Sequence, residues 1–349
     1  MRITEIRPAN RGGDLNKRLD LGAELRRRII GQDEAIDAIA PCVEIFQAGL
    51  APPGRPSGIF LLLGPTGTGK THTVEALAEV LHGSSANLLR IDCGEFQMEH
   101  EVAKLIGAPP GYLGHRETQP MITQQKLAAS TSERCGLSIV LFDEIEKSAP
   151  SLGRILLGVL DKASMRLGDG ASVNFERSLI FMTSNAGARD IGKARAGGFG
   201  FARSLDEDPK QVRTRLERAG LNAVRRRFAP EFVNRIDYSV VYQPLTQAGI
   251  AAIFDRQLEI LESHIAARLG PRAFNIEISN EAREMLIREG TDPRSGAREL
   301  KRTLHHRLMQ PLARLVLANG IPPGGSVRVE KARGGGLALR PRLPRRIAS

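Results

Sequence analysis

The chain has 349 residues, a formal net charge of +11, 41% hydrophobic residues and 26% charged residues. That length and balance suit two or three folded units with a sizeable core and exclude disorder as the default state. No apolar run reaches the roughly 20 residues needed to span a bilayer, and the opening MRITEIRPANRGG lacks the apolar segment of a secretion signal. The expected setting is therefore the cytoplasm, without membrane insertion.

Residues 1–23 read as a polar leader. AELRRRIIGQDEAIDAIAPCVEIFQAGL follows with helical spacing broken at Gly31, which predicts two helices joined at IIGQ. RPSGIFLLLGPTGTGKT predicts a buried strand running into a glycine-rich loop and a helix. Three more strands are expected at NLLRIDC, LSIVLFDE and RSLIFMTSN. Short apolar runs alternating with helical segments predict an α/β fold over residues 24–243, with a mostly parallel sheet covered on both faces. Residues 244–339 predict a smaller, α-rich C-terminal unit. Its long helix carries Ile250, Ile253, Phe254, Leu258, Leu261 and Ile265, and FNIEIS is a strand. NEAREMLIREG is a helix, GARELKRTLHHRLMQPLARLVLANG a helix bent at Pro311, and SVRVEK pairs with GLALRP as a hairpin. A basic tail occupies 340–349. Cys42, Cys93 and Cys135 show no C-x-x-C spacing, which fits a reducing compartment and no structural zinc.

The chemistry starts at GPTGTGKT, residues 64–71, a complete G-x-x-x-x-G-K-[ST] phosphate loop. Small residues let the backbone of Pro65, Thr66, Gly67, Thr68 and Gly69 wrap a pyrophosphate, so that N–H groups and a helix N-terminus face it. Lys70 then reaches the terminal phosphates and the Thr71 hydroxyl ligates Mg²⁺. Asp143 and Glu144 end the strand IVLFDE, where open α/β sheets bind ligands. Asp143 is expected to hold Mg²⁺ and Glu144 to polarise an attacking water. Asn185 ends the strand FMTSN; alone it is a turn former, and beside a phosphate loop it is placed to hold that water. The positive charge invites a nucleic-acid reading, with arginines at 26–28, 225–227 and in the 340–346 tail. Only 4% aromatic residues, with no Trp and three Tyr, leave few platforms for stacking bases.

In order along the chain, the phosphate loop, LFDEIEK, MTSNAG, APEFVNRID and SGARELKRTL resemble the AAA+ module of Clp-type unfoldase ATPases, nearest to the second ring of the two-ring members. The resemblance covers about residues 24–332. It implies an ATPase using ATP and Mg²⁺, assembled as a homohexamer that threads unfolded or tagged protein through an axial pore. Arg235 of FVNRID matches the arginine finger given to a neighbouring subunit. Arg298, with Ala297 beside it, matches the second sensor, and Ile30 and Gly31 fall where the family builds its adenine pocket. Tyr112 and Leu113, in GAPPGYLG, match the pore loop that grips polypeptide. Gly197-Gly198-Phe199 lies where protease-partnered members carry an aliphatic-Gly-Phe/Leu tripeptide that docks a peptidase ring. Gly in the aliphatic position leaves a plain glycine-rich loop as the alternative. The expectation is a single-ring form without N-terminal or middle domains, with a long polar stretch at 118–136. Machines that remodel DNA or RNA, and scaffolds timed by nucleotide, remain the rival readings.

Overall fold

A computed structural model describes residues 20–107, 120–188, 209–292 and 296–343. The chain opens with α1 (Leu21–Arg28) and α2 (Asp33–Gln47), separated at Gly31, whose φ of 73° suits glycine. Asp20 caps α1 by accepting the Ala23 N–H at 2.9 Å. Then come β1 (Gly58–Leu63), α3 (Lys70–His82), β2 (Leu89–Asp92), α4 (Ala103–Ile106), α5 (Gln124–Ala129), β3 (Ser138–Asp143) and α6 (Pro150–Lys162). A small antiparallel pair, β4 (Ser164–Arg166) and β5 (Ser172–Asn174), precedes β6 (Ser178–Ser184). After the described chain resumes, α7 (Pro209–Arg227), α8 (Pro230–Val233) and β7 (Tyr238–Val241) complete this part.

Strands β1, β2, β3, β6 and β7 form one parallel sheet in the order β2-β3-β6-β1-β7. Residues in β1 alternate between two cores. Ile59, Leu61 and Leu63 face the side packed by α5, α6 and α7, while Phe60 and Leu62 face the side packed by α1, α2 and α3. Burial on both faces explains why β1, β3 and β6 read as unbroken apolar runs rather than as alternating patterns.

The C-terminal unit has its own core. It comprises α9 (Gln247–Leu269), β8 (Asn275–Ile278), α10 (Asn280–Glu289), α11 (Ala297–Leu304), α12 (Gln310–Leu317), β9 (Ser326–Lys331) and β10 (Leu337–Arg342). β9 and β10 pair as the expected hairpin, and β8 joins β9 in parallel. The helix around Pro311 is interrupted by a five-residue π turn, His305–Met309, ahead of the proline. Widening the turn to i→i+5 bonds accommodates the ring and the missing N–H of Pro311. Among the described residues no helix is long and apolar enough to cross a membrane. All three cysteines are buried and unpaired, and burial raises each thiol above its ordinary pKa.

Candidate functional site

The phosphate loop leaves the C-terminal end of β1. Gly64 starts it at φ 142°, and a β-carbon there would lie 2.8 Å from the Tyr242 carbonyl oxygen, so only glycine fits. Gly67 and Gly69 also hold positive φ, 78° and 103°, turning successive N–H groups inward before α3 begins. Tyr242, fully buried, donates its hydroxyl to Thr73 Oγ1 at 2.8 Å and so fixes the start of α3 from behind.

Lys70 is only 8% exposed. Its ammonium donates to the Gly64 carbonyl at 2.7 Å, the Pro65 carbonyl at 2.8 Å and Asn185 Oδ1 at 2.9 Å, all neutral acceptors. Burial lowers its pKa to about 8, against the opposing pull of Glu146 and Asp143. A buried cation whose hydrogen-bond acceptors are all neutral is stabilised by a negative charge brought to it.

Asp143 closes β3 and is itself buried. Its Oδ1 accepts the Thr183 hydroxyl and lies 3.3 Å from Thr71 Oγ1, while Oδ2 pairs with Arg90. Glu144 follows in the left-handed region at φ 57°, which is uncommon for a residue with a side chain. Its N–H donates to Thr183 Oγ1 at 2.9 Å, and its carboxylate meets the Asn185 amide at 3.3 Å and an ion pair from Lys147. Thr183 therefore holds both acids in place.

These groups line one cavity of about 560 Å³, within the range of small-ligand pockets. Ile29 and Ile30 make one apolar wall, with Leu245, Ile253 and Ile260 on another, and Arg298 and Ala297 enter from the C-terminal unit. The junction is tight. Ala297 N–H donates to the Gly67 carbonyl at 3.1 Å, and a β-carbon on Gly296 would sit 2.6 Å from that oxygen.

Of the residues singled out from sequence, Ile30, Thr66, Gly67, Thr68, Gly69, Lys70, Thr71, Asp143, Glu144, Asn185, Ala297 and Arg298 line this cavity. Gly31 and Pro65 do not, although the Pro65 carbonyl holds Lys70. Arg235 lies away from it, 3.2 Å from Asp161 and 3.5 Å from Glu231. Tyr112, Leu113 and Gly197-Gly198-Phe199 are outside the described residues. Sequence reading missed Gln32. It is 6% exposed and ties the Thr68 carbonyl at 3.1 Å to the Gln243 carbonyl at 2.9 Å. It also missed Thr183 and Arg90, which meet Asp143 from 40 and 53 residues away, and Glu75, which pairs with Arg90.

The donor set fits a small, hard divalent cation carried in with phosphates. Thr71 and Asp143 offer adjacent oxygens, and no cluster of three or more metal-ligating side chains exists among the described residues. Two protein oxygens with the rest supplied by phosphate and water is the usual arrangement for Mg²⁺.

Comparison with known proteins agrees with this geometry. Residues 55–239 match the AAA domain (Cdc48 subfamily), and residues 245–329 match the C-terminal, D2-small domain of ClpB protein. The chain is 39% identical over 317 residues to chaperone protein ClpB of Meiothermus ruber, covering 91% of this chain and 34% of the relative. It is 40% identical over 315 residues to chaperone protein ClpB of Pseudomonas putida, covering 90% and 34%. The chain thus spans about a third of the length of these relatives. Among solved structures it is similar to a closed state of Hsp104 with ATPγS and FITC casein, with a TM-score of 0.74, 27% identity and coverage of 93% and 53%. It is also similar to an extended S. cerevisiae Hsp104:casein complex, with a TM-score of 0.76, 27% identity and coverage of 94% and 53%. With a phosphate-loop sheet followed directly by a small domain of the ClpB type, the chain belongs to the AAA domain family and has the fold of a Clp-type second AAA+ module.

Proposed function

We propose that this chain is the ATP-hydrolysing motor of a ring-forming protein unfoldase or disaggregase, working in the cytoplasm. One observation carries the reading. Lys70 and Thr71 from the loop, Asp143 and Glu144 from β3, Asn185 from β6 and Arg298 from the C-terminal unit converge on a single cavity. The apolar end at Ile29, Ile30, Leu245, Ile253 and Ile260 suits an adenine, and Gly31 shapes the turn that presents it.

In this reading Lys70 takes the terminal phosphates, and Thr71 and Asp143 hold Mg²⁺. Bound Mg²⁺ would supply charge neutralisation at the phosphates. Glu144 polarises water and Asn185 orients it, the two already joined at 3.3 Å. Arg298 reports nucleotide to the C-terminal unit, and Arg235 is given to a neighbouring copy in a homohexamer. Tyr112 and Leu113 grip polypeptide in the pore, and Gly197-Gly198-Phe199 is the candidate contact for a peptidase ring. The similar Hsp104 structures, which contain casein, support protein as the substrate. The arginines of the run 26–28 are balanced by acids, Arg26 pairing with Asp33 and Asp37, and Arg27 and Arg28 with Glu24.

The test is ATP turnover with unfolded casein or with single-stranded DNA. Casein is expected to stimulate turnover, and Glu144→Gln to bind ATP without hydrolysing it. Stimulation by DNA alone would move the assignment to nucleic-acid remodelling, and absence of ATP binding would end it.

A further inference from the structure

Arg90 has no place in the roles above, yet it sits on the carboxylate expected to hold the metal. β2 lies beside β3 in parallel register, with Arg90 opposite Leu141 and Asp92 opposite Asp143. From there one guanidinium nitrogen of Arg90, Nη2, reaches Asp143 Oδ2 at 2.5 Å. The other, Nη1, lies 3.5 Å from Glu75 Oε1 on α3. Arg90, Glu75 and Asp143 all line the cavity. Both oxygens of Asp143 are therefore engaged, Oδ1 by the hydroxyls of Thr183 and Thr71 and Oδ2 by a cation.

The two carboxylates differ in surroundings. The Asp143 side chain is 11% exposed, whereas those of Glu75 and Arg90 are 37% and 49% exposed. The guanidinium thus bridges an inner acid and an outer one, and a small swing about its long stem transfers it wholly to the outer acid. A planar guanidinium with several donors can hold two carboxylates at once, as an ammonium cannot.

We infer that Arg90 is a positioning residue that competes with a divalent cation for Asp143 and withdraws onto Glu75 when the cation is bound. In the nucleotide-free chain the guanidinium supplies the positive charge that Asp143 requires in its buried setting. Metal at that carboxylate places like charges side by side, and Glu75 is the nearby group that receives the displaced one. Arg90 thereby raises the cation concentration at which the site fills. This inference rests on the Mg²⁺-nucleotide reading of the cavity.

The experiment titrates Mg²⁺ into the whole chain with a fluorescent ATP analogue, and measures analogue affinity separately in EDTA. Arg90→Gln is expected to lower the half-saturating Mg²⁺ concentration about tenfold, the scale of one lost charge-assisted hydrogen bond. Glu75→Gln is expected to raise it, because the guanidinium then has Asp143 alone. Glu75→Gln also carries the test should Arg90→Gln not fold. Unchanged Mg²⁺ midpoints in both variants would overturn the inference. So would an Arg90→Gln effect confined to weaker binding in EDTA, which would make Arg90 a phosphate contact. Should the analogue not bind at all, Mn²⁺ binding in the presence of inorganic pyrophosphate, followed by electron paramagnetic resonance, gives the same comparison without nucleotide. Tighter Mn²⁺ binding by Arg90→Gln would then support the inference while the nucleotide reading failed.

Discussion

Lys70 shows how one side chain couples the fold to its ligand. Burial lowers its pKa from 10.5 to about 8. Between those values the unfolded chain binds more protons than the folded one, so this group makes the nucleotide-free fold gain stability as pH rises from 8 to 10.5. Phosphate at the ammonium reverses the preference by raising the pKa, so binding takes up a proton above pH 8. The dissociation constant for ATP is expected to be flat below about pH 8 and to climb toward about tenfold per pH unit above it. Calorimetry in buffers of different ionisation heat checks this; a flat constant up to pH 10 would contradict it. Removing the ammonium altogether, as in Lys70→Ala, is expected to abolish measurable binding, whereas Glu144→Gln retains it. Which residues sit at the cavity was legible where the offset along the chain is short and fixed, as for Lys70, Thr71, Asp143 and Glu144. It was not legible for Gln32, Thr183 and Arg90. Their partners lie 36, 40 and 53 residues away, and only the folded sheet brings them together.

At the scale of elements, the contact between α11 and the phosphate loop is a close joint. Gly296 has φ 53° and its α-carbon leaves no room for a side chain against Gly67. Gly296→Ala combines backbone strain of about 1–3 kcal/mol with a clash at the loop, and is expected to weaken ATP binding about tenfold or more. Gly270→Ala is the control: its φ is 50°, but nothing lies within 4 Å of the added carbon. It should lower stability comparably and leave nucleotide affinity unchanged. Equal affinities in the two variants, by fluorescence titration, would show that the joint does not transmit to the nucleotide. The major elements were readable because β1, β3 and β6 are buried on both faces and appear as apolar runs. The β4–β5 pair was not, since strands of three residues carry no period. The π turn at His305–Met309 was also hidden. Proline marks a disturbance in a helix but not which hydrogen-bond pattern absorbs it.

At the scale of the whole molecule, the position of Arg235 sets the proposed assembly apart from a self-sufficient enzyme. It lies off the cavity and is held by Asp161 and Glu231. A finger delivered to the next subunit makes a heterologous interface, and closure of such an interface yields a ring. Mixing inactive Arg235→Ala with inactive Lys70→Ala chains is expected to restore part of the ATPase, at interfaces that pair an intact finger with an intact loop. Co-assembled mixtures with no recovered turnover would count against a finger in trans. The parallel architecture was foreseeable from the alternation of runs and helical segments, but the strand order β2-β3-β6-β1-β7 was not, because crossovers leave no trace in local pattern. Glu144 carries the last consequence. At φ 57° it occupies a conformation that asparagine or glycine would adopt with less strain, so selection for thermal robustness alone would drive the acid out. A heat-resistant variant bearing Asn or Gly at position 144 would be easier to obtain than one that still turns over ATP, and screens for stability in this chain need an activity counter-screen at that residue.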